Sequence, residues 1–288
     1  MRSNSGSQGY TVLEVMIFLA ISGLMFVLAA SFISGKQSKS QFKQGMNDFK
    51  SNIMRVENDV SNGFFPSNAN FSCTAGSAGQ PTFGATAKAQ GTNQGCAFIG
   101  KIVQFVPDDG TVSGGNKKVY NLVTLAGRQY QSDVNSLPPE SFAQSRPIAI
   151  YSPAGTPDLT EKINLQWGLE VTKVYTGADN HTIGAFGMFS SFSKSSSGTL
   201  DTGGQSTLLM EMPSSTMNQT ETSLAGSLGT AATLSALDAA VAGQSPTISV
   251  CLKGDNNQHG LLTVGGGNGQ RLATTIQVSD TAMGSCPA

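Results

Sequence analysis

An α+β protein, with one long N-terminal helix lying on an antiparallel β-sheet head, is what this sequence predicts. Three features carry the expectation: an uncharged apolar run near the N-terminus, a helical apolar stripe beyond it, and short β-type runs cut by turn formers through the remainder. The composition agrees. Charged residues make up 12% of the chain and glycine supplies 34 of its 288 residues, a balance closer to exported β-rich proteins than to cytosolic enzymes.

Residues 15–33 (VMIFLAISGLMFVLAASFI) form the 19-residue uncharged run, about 28 Å as a helix and close to the thickness of a bilayer's hydrocarbon core. A secretory signal would be shorter and would open on a basic stretch. Glu14 stands at the head of this run. A carboxylate at bilayer depth costs about 2.5–3.5 kcal/mol on insertion scales and therefore calls for a partner. A cut after Gly9 would supply one, since the new α-amino group on Tyr10 would lie one helical turn from Glu14.

Beyond the run, Phe42, Met46, Phe49, Ile53, Val56 and Val60 follow alternating spacings of four and three, which puts all six on one helical stripe with a polar back. This stripe is expected to pack against the protein's own sheet. Ser61-Asn62-Gly63, with Pro66 soon after, predicts the helix end. Residues 66–96, rich in Gly, Ala, Ser, Thr and Asn, read as an irregular loop tied down by cysteines.

Strand-like runs follow at 98–106, 119–125, 147–151, 163–175, 182–192 and 206–212, separated by turn formers such as Pro107-Asp108-Asp109-Gly110. Residues 223–242, rich in alanine and leucine, predict a helix weakened by Gly226 and Gly229. Three further strands are expected at 248–252, 260–264 and 271–278, the first two as a hairpin. Lone Trp167 falls within a strand pattern and is expected in the core.

The four cysteines, Cys73, Cys96, Cys251 and Cys286, fit two disulfides in an exported head, with no C-x-x-C spacing to suggest zinc. Nearest-neighbour pairing would join Cys73 to Cys96 and Cys251 to Cys286, but four cysteines allow three connectivities.

Chemistry is sparse. His181 and His259 sit in separate contexts, and no nucleophile elbow, phosphate loop, dinucleotide fingerprint or zinc-protease motif occurs. Asp108-Asp109-Gly110 and Asp255-Asn256-Asn257 lack the alternating acidic ligands of a calcium loop and read as turns. Lys117, Lys118, Lys253 and Arg271 are too few and too scattered for a phosphate-binding stripe, so nucleic acid is not an expected partner. No catalytic residue, metal or cofactor is expected.

The segment Gly9-Tyr10-Thr11-Val12-Leu13-Glu14, followed at once by a hydrophobic helix, resembles the processing site of type IV pilins and type II secretion pseudopilins. Tyr10 stands where Phe is more usual, and the span lacks the mid-helix proline of many pilins. The likeness covers about the first 55 residues. It implies a pilin-like fold divided into a leader (1–9), a transmembrane and assembly half of the helix (10–34), an amphipathic half (35–62) and an extracytoplasmic β-rich head (63–288).

The likeness also implies cleavage after Gly9 and methylation of Tyr10 by a prepilin peptidase, and a role for Glu14 in assembly. Further implied partners are other pilin subunits through the helix, a pilus assembly platform and membrane lipid, with the chain ending in a surface fibre. A mature chain of 279 residues, 288 less the leader, is large for a bulk subunit and favours a minor pilin. A pseudopilin of a secretion or DNA-uptake machine and an unprocessed membrane-anchored adhesin are the alternatives. Charge distribution pulls the other way on orientation: the leader holds only Arg2, against Lys36, Lys39 and Lys43 beyond the span.

Overall fold

The computed structural model describes residues 11–63, 72–75, 81–84, 96–108, 110, 113–128, 139, 142–150, 160–177, 181–190, 207–217, 219, 247–255, 257–265, 272–283 and 286. The first element, α1 (Val12–Ser61), is one unbroken helix of 50 residues, about 75 Å long. Thr11 caps it with an extended backbone, and its hydroxyl accepts a hydrogen bond from the Glu14 N–H at 3.3 Å. The apolar run and the apolar stripe thus belong to a single rod, which Gly23 does not interrupt. At the far end Gly63, at φ +65°, turns the chain out of the helix in a conformation that a Cβ would oppose.

Two short strands, β1 (Ser72–Ala75) and β2 (Pro81–Gly84), pair as a separate antiparallel hairpin. They lie inside the stretch expected to be irregular, and the expectation is corrected there. Ladder hydrogen bonds can hold a segment whose small polar residues give no alternation to announce it.

The main sheet contains β3 (Cys96–Phe105), β4 (Val119–Arg128), β5 (Ile148–Ile150), β6 (Thr160–Asn164), β7 (Glu170–Thr176), β8 (His181–Ser190), β9 (Thr207–Pro213), β10 (Ile248–Lys253), β11 (His259–Gly265) and β12 (Ala273–Ser279). Its order is β12-β11-β10-β7-β8-β3-β4-β5, with β6 also on β4 and β9 on β8, and every pairing is antiparallel. A one-turn helix, α2 (Phe142–Ser145), precedes β5.

The core lies between α1 and this sheet. All six stripe residues are buried there with Val103, Phe105, Tyr120, Phe186, Val250, Leu252 and Leu262. Phe49 meets the rings of Tyr120 and Phe105 edge-on, at centroid distances of 5.2 and 6.3 Å. A second cluster that includes Ile102, Val123, Ala149, Ala185, Met210 and Met212 is also buried. Neighbouring residues of β3 and β4 thus enter different clusters, which is why these strands read as unbroken apolar runs rather than as alternation.

One expected strand is two. Residues 163–175 are divided between β6 and β7 by a turn in which the Leu169 N–H bonds to the Gln166 carbonyl at 3.3 Å, with Trp167 at φ 60° and Gly168 at φ 72°. Paired positive φ values define a primed turn, and a tryptophan is an uncommon occupant. Trp167 is 45% exposed, which corrects its expected place in the core. The turn is seated on α1 at Gly45, where a Cβ would lie 2.5 Å from Leu169 Cδ1 and 3.2 Å from the Gln166 carbonyl oxygen. Gly45→Leu is therefore expected to cost about 1–3 kcal/mol through overpacking, read by urea denaturation followed at the single tryptophan. The expected helix at 223–242 lies outside the described residues.

Candidate functional site: the two-part helix

The candidate site is α1 itself, because its two halves face different surroundings. Over Val12–Ala29 the mean hydropathy is 2.5 and none of the segment is buried within the chain. Large side chains such as Leu13, Phe18, Leu24 and Phe26 stand bare along it. An apolar surface of that extent is covered in nature by lipid or by other protein, and its length suits a bilayer. From Phe42 onward the same helix is part of the head's core.

Polar clamps hold the second half. Arg55 makes a two-pronged ion pair with Glu161 of β6, at 2.6 and 3.2 Å. Hydrogen bonding to Glu161 favours the charged guanidinium and raises its pKa further, against a smaller opposing effect of burial. Exposed pairs of this kind contribute at most about 1 kcal/mol. Lys101 of β3 reaches Asp59 at 2.7 Å, and only 4% of the lysine side chain is exposed. Lower on the helix, Lys39 pairs with Asp280 at 2.6 Å in full contact with solvent. Ion pairs therefore join head and helix at Lys39, Arg55 and Asp59, along the packed half of α1.

Between the clamps, burial pushes the ionisation of Tyr120 well above the usual phenol range, with Asn52 and then Arg55 acting weakly in the opposite direction. Asn52 is close enough to influence the ring, yet the Tyr120 hydroxyl forms no hydrogen bond of acceptable geometry. Because the folded pKa is the higher one, this contribution to stability is fully present below pH about 10 and is lost as the pH rises above it, where the unfolded phenol ionises first. Tyr120→Phe is expected to leave stability unchanged or raise it by up to about 1 kcal/mol at neutral pH. It should also remove part of the alkaline loss, as measured by urea midpoints between pH about 9 and about 11.

The residues that the sequence nominates for processing and assembly stand at or beyond the helix start. Glu14 is in the first turn of α1, where its charge also complements the helix dipole. Gly9 and Tyr10 lie outside the described residues. At the other end of the chain Cys251 of β10 is joined to Cys286, across 35 residues, which closes a loop whose constraint stabilises by about 4 kcal/mol in the chain-entropy model. Cys96 is disulfide-bonded as well, and the side chain of Cys73 lies outside the described residues.

Nothing else among the described residues gathers chemistry. Among the described residues no three His, Cys, Asp or Glu side chains converge. His181 and His259 lie on β8 and β11 with two strands between them, about 14 Å apart across the sheet and, because His259 is level with Glu170 of β7 and His181 with Thr176, about 20 Å apart along it. A depression of about 350 Å³ runs along the outer side of α1, lined by Asn47, Lys50, Ser51, Met54, Arg55 and Asn58. It is open and offers no acid–base pair. The Asp108 carboxylate accepts the Gly110 N–H at 3.0 Å, as a turn residue does.

The chain matches no family model, no curated protein and no solved structure. Its site rests on its own geometry. Sequence reasoning located the helix and its stripe but missed the Lys101–Asp59 clamp. The only signal was a lysine inside an otherwise apolar strand run, IGKIVQF, where a buried cation implies a partner.

Proposed function

We propose that this chain is a type IV pilus subunit of the minor, low-abundance kind, held in a membrane by Val12–Ala29 until assembly and presenting its head outside the cytoplasm. The observation that carries the reading is the rigid coupling of a bare apolar half-helix to a clamped half-helix in one rod. An anchor alone needs no such continuity, whereas a subunit drawn out of a bilayer into a helical bundle does.

In this reading a prepilin peptidase cuts after Gly9 and methylates Tyr10. The new amine then pairs with Glu14 of its own or a neighbouring chain as the apolar halves exchange lipid for one another. An assembly platform supplies the movement, and the chain is a processing substrate rather than an enzyme. A pseudopilin of a secretion or DNA-uptake machine would use the same rod.

Mass spectrometry of the N-terminus, on protein from native membranes and from sheared surface fibres, tests the proposal. N-methylated Tyr10 supports it. An intact Met1 leader on fully mature protein refutes it in favour of a permanently anchored binding domain.

A further inference from the structure

Two edges of the main sheet, β5–β6 and β12, differ in strand length and charge. Along one edge, β4 is flanked end to end by β6 and β5, of five and three residues, and β6 carries Glu161 and Lys162. Short strands and charged side chains are ordinary means of keeping an edge from recruiting another strand. The opposite edge has neither. β12 (ATTIQVS) runs for seven residues without charge, proline or glycine and keeps an unshifted register against β11.

Among the described residues β12 pairs only with β11, and Thr275, Gln277 and Val278 are exposed. Its outward row of backbone N–H and C=O groups therefore has no ladder partner among the described residues. Thr274 Oγ1, on the same strand, is buried without a hydrogen bond.

We infer that β12 is a strand-addition site, which takes an extended, uncharged segment of another protein as the next strand of the sheet. Main-chain hydrogen bonds supply the affinity in such contacts, and alternate side chains supply the selection. Ile276 packs towards the core beneath α1, so the incoming strand carries apolar residues on that face. Small polar residues beside Thr275 and Gln277 suit the other.

A second copy fits poorly. Antiparallel pairing of β12 with itself about a two-fold axis would send the two α1 helices in opposite directions, although both Val12–Ala29 segments belong in one membrane. Pairing with the far edge of a second copy keeps the helices co-directional, but meets Glu161, Lys162 and the break between β5 and β6. The absence of charge on β12 favours a neutral segment from a different chain. The inference stands apart from processing at Gly9 and uses only the shared membrane.

The test is hydrogen exchange on the full chain in detergent micelles, titrated with a blocked seven-residue peptide of alternating threonine and valine. Saturable slowing of the amides in 273–279 by about tenfold or more is expected. A T275K/Q277K double variant should lose that slowing while β10 and β11 keep their own protection. Unchanged amides at millimolar peptide, or equal slowing in the double variant, would overturn the inference. Protection of β12 that grows with protein concentration in the absence of peptide would overturn the choice of a different chain as occupant.

Discussion

Glu14→Ala is expected to insert and to be processed normally, yet to enter fibres about 10 to 100-fold less well than the native chain. The opposite signs have separate causes. In the bilayer the carboxylate is a cost of about 2.5–3.5 kcal/mol, so its removal eases insertion. In the assembled bundle a carboxylate–ammonium pair contributes about 1.5–3 kcal/mol, which corresponds to the stated factor in the assembly equilibrium. Comparing the variant in membranes and in sheared fibres by quantitative immunoblotting separates the two steps. Glu14→Asp, which keeps the charge on a shorter side chain, should recover part of the incorporation. Equal incorporation of Glu14→Ala and native chain would remove the pairing from the proposed mechanism. Because Glu14 lies on the bare half of α1, far from the head's core, a change in head stability cannot account for the expected loss.

Lys101→Ala should be the most damaging single change in the head among those considered, at about 3–5 kcal/mol. The Lys101 ammonium is taken almost wholly out of water and held by Asp59 at 2.7 Å. Removing it leaves the carboxylate at the packed edge of α1 without that cation, and the alkyl stem leaves a void as well. Asp59→Ala should also destabilise, by about 1–3 kcal/mol, since it removes the 2.7 Å partner of the more deeply buried charge. Joint replacement, Lys101→Met with Asp59→Leu, should restore much of the loss, because a packed apolar pair is often as stable as a buried ion pair. Urea denaturation of the full chain in micelles, followed at Trp167, measures the three variants against the native chain. A double variant no more stable than the two losses combined would mean that the clamp's partners, rather than the pair itself, carry the energy.

The rod was legible because a helix writes itself into sequence at fixed period. Phe42, Met46, Phe49, Ile53, Val56 and Val60 announce one buried face, and the end at Gly63 follows from a single backbone conformation. The strands were legible for a similar reason: eight of the nine expected runs are single strands in place, and the ninth holds two. Trp167 misled because bulk and aromaticity argue for burial, whereas its place was set by the fit of Leu169 and Gln166 against Gly45, residues more than a hundred positions away in the chain. The β1–β2 hairpin gave no apolar alternation to read.

What the sequence determined by itself, then, is local: the apolar span, the stripe, most strands, and a carboxylate that needs a partner. Tertiary structure decided everything that depends on which residues meet. It chose Cys286 for Cys251, set Lys101 against Asp59, and, among the described residues, left β12 as an open edge while β4 was closed by β5 and β6. Periodicity is a property of neighbouring residues and survives in one dimension. Pairing is a choice among distant candidates, and only packing in three dimensions makes it.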